Sequence, residues 1–280
     1  MSRFATEGER LFSAYLRQRR LAYEYEPAVG PRHPDFVVDH PGLGRVVWEV
    51  YEPVHRLQNR ADTVDPYPPI RWAFESRKRK QAKASRAAGL PHVVVLGQGH
   101  SDTAFDPLMV AGGMFGNVGV TFSVQADAGD PVPPDDVRST FLGGGRLQSK
   151  LNRSVSALAL LTSFNPTLWR AETACESRLA RVRASSANRS SPRDRAEAVR
   201  LIMETYEHLV ATGAFDPNAC VARITVLHNP HAAIPLDLSA AAGPHDEQWG
   251  AVVGDNVVVY TRVTSGIRAW EIPGRRDHAA

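Results

Sequence analysis

Cysteine is scarce in this chain, and long apolar runs are missing from it. The 280 residues include two cysteines, Cys175 and Cys220, which are too few for a disulfide framework or a cysteine-ligated zinc site. The longest apolar runs, such as Val93–Leu96, are far shorter than the roughly 20 residues that cross a bilayer. The first residues contain no apolar signal region. These absences predict a cytoplasmic protein with no membrane partner.

Lysine is also rare, because only four of the 33 basic residues are lysines. Three of them, Lys78, Lys80 and Lys83, fall within six positions. The formal net charge of +3 is a weak basic balance that does not by itself require a nucleic-acid partner. The lysine cluster therefore has two interpretations, a surface for nucleic acid or an ordinary solvated helix face.

The pattern of apolar residues predicts an α/β fold over residues 7–97. The chain is 43% hydrophobic and 22% charged, as is typical of globular proteins. Periodicity and turn residues predict, in order, a helix at 6–21, strands at 23–26, 35–39 and 45–51, a helix from about 70 to 88 and a strand at 92–97. The last strand follows a helical crossover, which favours a mixed central sheet flanked by helices.

The remaining chain carries weaker signals. Residues 98–148 are rich in glycine and proline, and no element is predicted there. Strands are predicted at 155–161, 221–227 and 256–263, and a helix at 192–212. The first two of these strands could extend the sheet, which favours one continuous domain. His228 and His231 flank Asn229-Pro230, a spacing that favours a structural turn over a zinc site.

Asp35 and Glu49 lie symmetrically about a turn that contains Gly42. The two β-branched, aromatic-rich runs around this Pro/Gly cluster predict a hairpin. A register centred on Gly42 places Asp35 opposite Glu49, and opposed Cβ atoms are roughly 4.5–5.5 Å apart. Because side chains alternate along a strand, Tyr51 shares the face of the two acids. Two acids this close repel each other unless a cation or proton lies between them, so the pattern predicts a divalent metal site.

These residues resemble the PD-(D/E)XK, or restriction-endonuclease-like, nuclease superfamily, whose signature is Asp after Pro and then a strand with Glu-x-Lys. The match is Pro34-Asp35 followed by Glu49-Val50-Tyr51, with Tyr51 where the family has its lysine. The order of predicted elements over residues 7–97 is similar as well. The resemblance implies an atypical member with a nuclease-like core at 1–97, and with 98–280 as an extension that continues the same domain.

The resemblance further implies a magnesium-dependent endonuclease acting on DNA in defence, restriction or repair. In such an enzyme, Asp35 and Glu49 would hold Mg²⁺ or Mn²⁺, and Glu9 on the first helix would add a ligand. Hard carboxylate ligands suit magnesium. Tyr51 can donate a hydrogen bond but brings no positive charge.

The helix predicted from about 70 to 88 would carry the rest of the site. Gln81 lies on its apolar stripe and is expected to point inward, where it would orient water or phosphate. Lys80, or alternatively Lys78, would supply the charge that Tyr51 lacks. Contacts to DNA are expected from three basic residues: Arg77, Lys78 and Lys83.

A second hypothesis follows from the same departure at Tyr51. A nuclease-fold protein that has lost catalysis could bind nucleic acid or a protein partner through the same surfaces. The sequence leaves the oligomeric state open, with a homodimer as one alternative.

Overall fold

The computed structural model describes residues 4–52, 67–74, 76–97, 105–121, 138–144, 152–167, 192–214, 216, 219–236, 243, 245–254 and 257–263. The chain divides into two compact units. Residues 1–162 and 223–280 form the first unit, and residues 163–222 form the second. The predicted core at 1–97 and much of the predicted extension therefore belong to one unit.

The described helices are separated by groups of one to three strands, except for two consecutive helices before β4. The helices are α1 (Glu7–Gln18), α2 (Tyr67–Trp72), α3 (Ser76–Ala87), α4 (Pro107–Phe115) and α5 (Pro192–Ala211). The strands are β1 (Ala22–Tyr25), β2 (Phe36–His40), β3 (Gly44–Tyr51), β4 (His92–Gly97), β5 (Gly116–Thr121), β6 (Arg138–Gly144), β7 (Ala157–Phe164), β8 (Val221–His228), β9 (Glu247–Gly254) and β10 (Val257–Val263). No helix among the described residues is long and apolar enough to span a bilayer.

A mixed sheet with the strand order β1-β2-β3-β4-β7-β8-β9-β10 forms the centre of the fold. Strands β1, β2 and β3 are antiparallel neighbours, whereas β4 runs parallel to β3 and β7 runs parallel to β4. The step from β3 to β4 passes through α2 and α3, because a parallel pair requires a crossover connection. Strands β5 and β6 form a separate antiparallel pair. The predicted α/β class and mixed sheet flanked by helices are confirmed.

Helices cover both faces of this sheet. On one face the Phe12 ring of α1 lies 5.1 Å from the Phe36 ring and 5.2 Å from the Trp48 ring, measured between centroids. The opposite face bears Glu49 and Tyr51, and we call it the site face. It carries the main apolar cluster, whose members include Ile70, Phe74, Ala82, Val94, Leu96, Met114, Leu158 and Leu160. Helices α2, α3 and α4 all contribute to that cluster, so they lie over the site face.

The single helix predicted from about 70 to 88 is wrong, because the structure contains two helices there. Helix α2 begins at Tyr67, and Pro68 and Pro69 follow in its first turn, where proline is tolerated. After α2 the backbone N–H of Phe74 bonds to the carbonyl of Arg71, a three-residue spacing that tightens the turn. Helix α3 ends as predicted, at Gly89, whose φ of +72° lies in the left-handed region.

Helix α4 and the pair β5–β6 lie in the glycine-rich stretch where no element was predicted. Gly112 and Gly113 allow α4 to approach α2 closely. A Cβ at Gly112 would overlap the Tyr67 ring, and one at Gly113 would lie 2.8 Å from the Ile70 Cβ. Glycine, usually unfavourable within a helix, is needed here for helix packing.

Candidate active site

The strand pairing places Asp35 opposite Glu49. Strand β2 pairs with β3 so that Val37 faces Val47 and Asp39 faces Arg45, a register centred on residue 42. Asp35 directly precedes β2, and the backbone N–H of Glu26 bonds to its carbonyl at 2.9 Å. This bond continues the pairing of β1 with β2 and fixes the chain at Asp35. The predicted hairpin register is confirmed.

Hydrogen bonds hold both carboxylates against the hairpin backbone. The N–H of Val50 donates to Asp35 Oδ2 at 2.7 Å, and the N–H of Asp35 donates to Glu49 Oε2 at 3.3 Å. Asp35 thus accepts a hydrogen bond from the backbone next to Glu49, and Glu49 accepts one from the backbone of Asp35. The strand ends therefore hold the two carboxylates next to each other with little freedom to separate.

The two acids differ in their exposure to solvent. Glu49 is 1% exposed, whereas Asp35 is half-buried. Burying a carboxylate costs free energy unless charge or hydrogen bonds compensate, and a second carboxylate alongside adds repulsion. Asp35 is therefore the side on which a ligand from solvent would meet this pair.

Gln81 on α3 reaches the same corner of the molecule. It is 4% exposed, and its Nε2 donates to the carbonyl of His33 at 3.1 Å, two residues before Asp35. Its Oε1 is buried and has no hydrogen-bond partner. A buried amide oxygen without a partner is costly. The inward position expected for Gln81 is confirmed, and Oε1 can accept a hydrogen bond or contact a cation.

Tyr51 lies on the site face, two residues after Glu49. Its partly buried ring packs against the main apolar cluster. On β4, Leu96 pairs with Tyr51, and Leu96 is itself fully buried in that cluster. An apolar environment suits the aromatic ring, and it would disfavour a lysine ammonium at this position.

The predicted basic residues lie on α3. Lys80 and Lys83 are both exposed, on a helix whose Gln81, Ala82 and Ser85 are buried. Arg77 and Lys78 belong to α3, but their side chains lie outside the described residues. The two described lysines are therefore available to an anionic ligand.

Glu9 is separated from the acidic pair. It is 6% exposed, and its Oε2 accepts from the Tyr25 hydroxyl and from the Ala5 N–H, both at 2.8 Å. Burial and the Glu9 carboxylate raise the pKa of Tyr25, so the hydroxyl stays a donor. Glu9 thus ties the start of α1 to β1, and the structure does not bring it together with Asp35 and Glu49.

The two carboxylates at this corner are as many protein ligands as magnesium commonly takes. Among the described residues, no three His, Cys, Asp or Glu side chains form a group that could hold a metal ion. Magnesium is commonly held by one or two carboxylates while it keeps several waters. Asp35 and Glu49 supply two carboxylates, and the unpartnered Gln81 Oε1 adds a neutral oxygen nearby.

Asp246 forms a buried polar centre that no sequence motif indicated. The Tyr15 hydroxyl donates to its Oδ2 at 2.8 Å, the N–H of Gly243 donates to the same oxygen at 2.6 Å, and the N–H of Ile224 donates to Oδ1 at 3.1 Å. Burial and the Asp246 charge raise the pKa of Tyr15. With α1 and the β8–β9 region joined in this way, the role of Asp246 is structural.

His231 lies in a turn, as predicted, whereas His228 is the last residue of β8 and its Nε2 forms a hydrogen bond with Gln248 Oε1 at 3.0 Å. Asn229 Nδ2 donates to the carbonyl of Val155 at 2.7 Å, and the N–H of His231 donates to Asn229 Oδ1 at 3.0 Å. These bonds attach the end of β8 to the start of β7.

Comparisons with protein-family models, with curated proteins and with solved structures found no match to this chain.

Proposed function

We propose that this protein is a metal-dependent nuclease that hydrolyses DNA phosphodiester bonds at Asp35 and Glu49. The observation that carries the proposal is the register of β2 and β3, which sets a buried and a half-buried carboxylate side by side. The order α1, β1, β2, β3, α2–α3, β4, with β4 parallel to β3, supports the resemblance to PD-(D/E)XK nucleases.

Asp35 and Glu49 would hold Mg²⁺ or Mn²⁺, which when bound supplies charge that polarises a phosphate and acidifies a water. The hairpin backbone positions both carboxylates through the Val50 and Asp35 N–H groups. Since these donors belong to paired strands, the acids need little rearrangement before reaction.

Gln81 and Lys80 complete the proposed chemistry. The buried Gln81 Oε1 can accept a hydrogen bond from the attacking water and so orient it. The exposed Lys80 ammonium offsets negative charge that grows on the phosphate during attack. Lys80 would replace the lysine that the family carries at the Tyr51 position.

A second candidate function is nucleic-acid or protein binding without catalysis. Its support is Tyr51, whose ring packs with apolar residues and brings no cation to Glu49. In that case Asp35 and Glu49 would be a remnant of a catalytic pair, while the basic surface of α3 would still bind its partner.

Cleavage of supercoiled plasmid and of circular single-stranded DNA, each with Mg²⁺ and with Mn²⁺, separates these candidates. We expect wild-type protein to cleave and Asp35→Ala and Glu49→Ala to lose on the order of 100-fold or more, because charge stabilisation by a bound metal is worth several kcal/mol. Asp39→Ala is the matched control, since this acid lies on the same hairpin with its side chain 59% exposed. It should cleave like wild type.

Cleavage that persists unchanged in both site variants would assign the activity to another site or to a contaminant. DNA binding by all proteins without any cleavage in either metal would establish the second candidate.

A further inference from the structure

Trp72, the last residue of α2, is a large aromatic side chain left in solvent. It is 52% exposed, whereas Ile70 and Phe74 on either side of it in sequence are fully buried in the main apolar cluster. Tryptophan is usually well buried, so half exposure is unusual. The other large exposed apolar side chains among the described residues belong to α5, in the second unit: Met203, Tyr206 and Val210.

The chain directly after Trp72 is strongly basic. Helix α3 begins four residues later, and its twelve residues include six lysines or arginines and no acid. Three of these cations, Lys80, Lys83 and Arg86, are exposed in the structure. An aromatic ring in solvent, followed in the chain by a basic helix that contains no acid, matches the two requirements of single-stranded nucleic-acid binding, which are base stacking and phosphate attraction.

The same pair of helices packs against the segments that carry the acidic pair. Ile70 and Phe74 lie in the cluster against which Tyr51 packs, and Tyr51 is two residues from Glu49 on the site face. Gln81 bonds to the carbonyl of His33, beside Asp35. Trp72 is exposed on the helix whose Ile70 is fully buried in that cluster. A strand that stacks on Trp72 and follows α3 would be led towards Asp35.

We propose that Trp72 is a stacking site for an unpaired base, and that the substrate of this protein is therefore single-stranded DNA or a single-stranded segment of a duplex. This inference rests on the proposed nuclease function and names its substrate class. In a duplex the faces of the bases are already covered by stacking, so an indole ring can add to binding only where a base is free. The phosphates of the same strand would lie along Lys80 and Lys83.

Binding of a dye-labelled 12-nucleotide single strand and of its duplex, measured by fluorescence anisotropy in EDTA, tests the inference without cleavage. Wild type should bind the single strand more tightly than the duplex. Trp72→Ala should weaken single-strand binding about 5- to 150-fold, as expected for loss of one base–aromatic stack. Trp72→Phe, which keeps a ring, should lose much less. The control is Tyr206→Ala, another exposed aromatic residue, which should bind like wild type.

Two results would overturn the inference, namely equal binding of the single strand by wild type and Trp72→Ala, or preference of wild type for the duplex. Thermal melting of each variant shows whether it is folded. If Trp72→Ala is unfolded, the preference of wild type for the single strand or the duplex still decides the inference. Trp72-dependent binding without cleavage by wild type would uphold the stacking site and reject the nuclease, while cleavage without a Trp72 effect would do the reverse.

Discussion

His40, at the end of β2, is a buried ionisable residue that the proposed chemistry does not use. It is 4% exposed, its ring lies 5.6 Å from the Trp48 ring, and neither ring nitrogen has a hydrogen-bond partner. Burial, with a further contribution from Arg19, lowers the pKa of His40 to about 4, although Asp39 acts in the opposite direction. The native protein therefore holds His40 neutral at pH values where the unfolded chain would protonate it.

The free energy of unfolding should fall as the pH drops from about 6.5 towards 4. The native pKa is below the unfolded value, so in this interval the unfolded state binds the extra proton and is favoured. At about 1.4 kcal/mol per pKa unit, the loss due to His40 reaches roughly 3.5 kcal/mol over the whole interval. Urea unfolding at pH 7.5 and 5.0 measures it. His40→Phe should lose less stability between these values than wild type, and an equal loss would contradict the assignment.

The candidate site was largely predictable at the residue scale because it is local. Asp35 and Glu49 are 14 positions apart, and the turn between them sets their register. Gln81 was predicted from helical periodicity, although its bond to the His33 carbonyl comes from tertiary packing. Glu9 shows the limit of this reasoning. Its position on α1 gave no sign that Tyr25, on the neighbouring strand, would bind its carboxylate.

At the scale of elements, the packing of α4 on α2 depends on two glycines. A Cβ at Gly113 would overlap the Ile70 side chain, which is fully buried between these helices. Neither helix can shift outward without exposing apolar surface of the main cluster.

Gly113→Ala should therefore lower the free energy of unfolding by about 1–3 kcal/mol, the usual cost of overpacking a core. Because α2 also covers the site face, DNA cleavage should fall in the same variant. Denaturant unfolding and the plasmid assay measure the two effects. Gly250→Ala provides a matched control, since a Cβ there would meet no atom within 4 Å. If both variants were equally stable, the close approach of α2 and α4 would not limit the fold.

The helices and strands differ in how well they can be predicted from sequence. Strand β4 is a continuous apolar run and has the predicted bounds, from His92 to Gly97. Helix α5 begins at Pro192 as predicted, and Gly213 follows it with a φ of +68°. Strand β9 was missed, because its sequence Glu-Gln-Trp-Gly-Ala-Val-Val-Gly lacks a clear alternation. Its pairing partners β8 and β10 are what make it a strand.

At the scale of the whole molecule, the position of the charges matters more than their sum. The net charge is only +3, and the basic residues of α3 have no acid within that helix. Arg45, by contrast, is paired with Glu24 at 2.8 Å. Attraction of a polyanion is therefore expected at α3.

DNA binding should weaken with salt in a way that reports these contacts. In Lys83→Ala, the slope of log K against log salt concentration should become less steep by about 0.7–0.9, the value for one lost phosphate contact. Arg45→Ala should leave the slope unchanged, because that cation is already paired. Anisotropy titrations between low and moderate salt measure both slopes. Equal slopes for wild type and Lys83→Ala would remove α3 from the DNA interface.

By itself the sequence determined the α/β class, the order of elements over residues 7–97 and the facing of Asp35 and Glu49. All of these depend on short-range patterns, namely alternation along strands, periodicity along helices, and glycine or proline at turns. Tertiary structure decided what distant segments do to one another. It divided the single predicted helix into α2 and α3, packed α4 against α2 at Gly112 and Gly113, and bonded the Tyr15 hydroxyl to Asp246. It also left Trp72 in solvent beside a basic helix. These outcomes depend on which surfaces remain after the sheet is covered, and no local pattern encodes that.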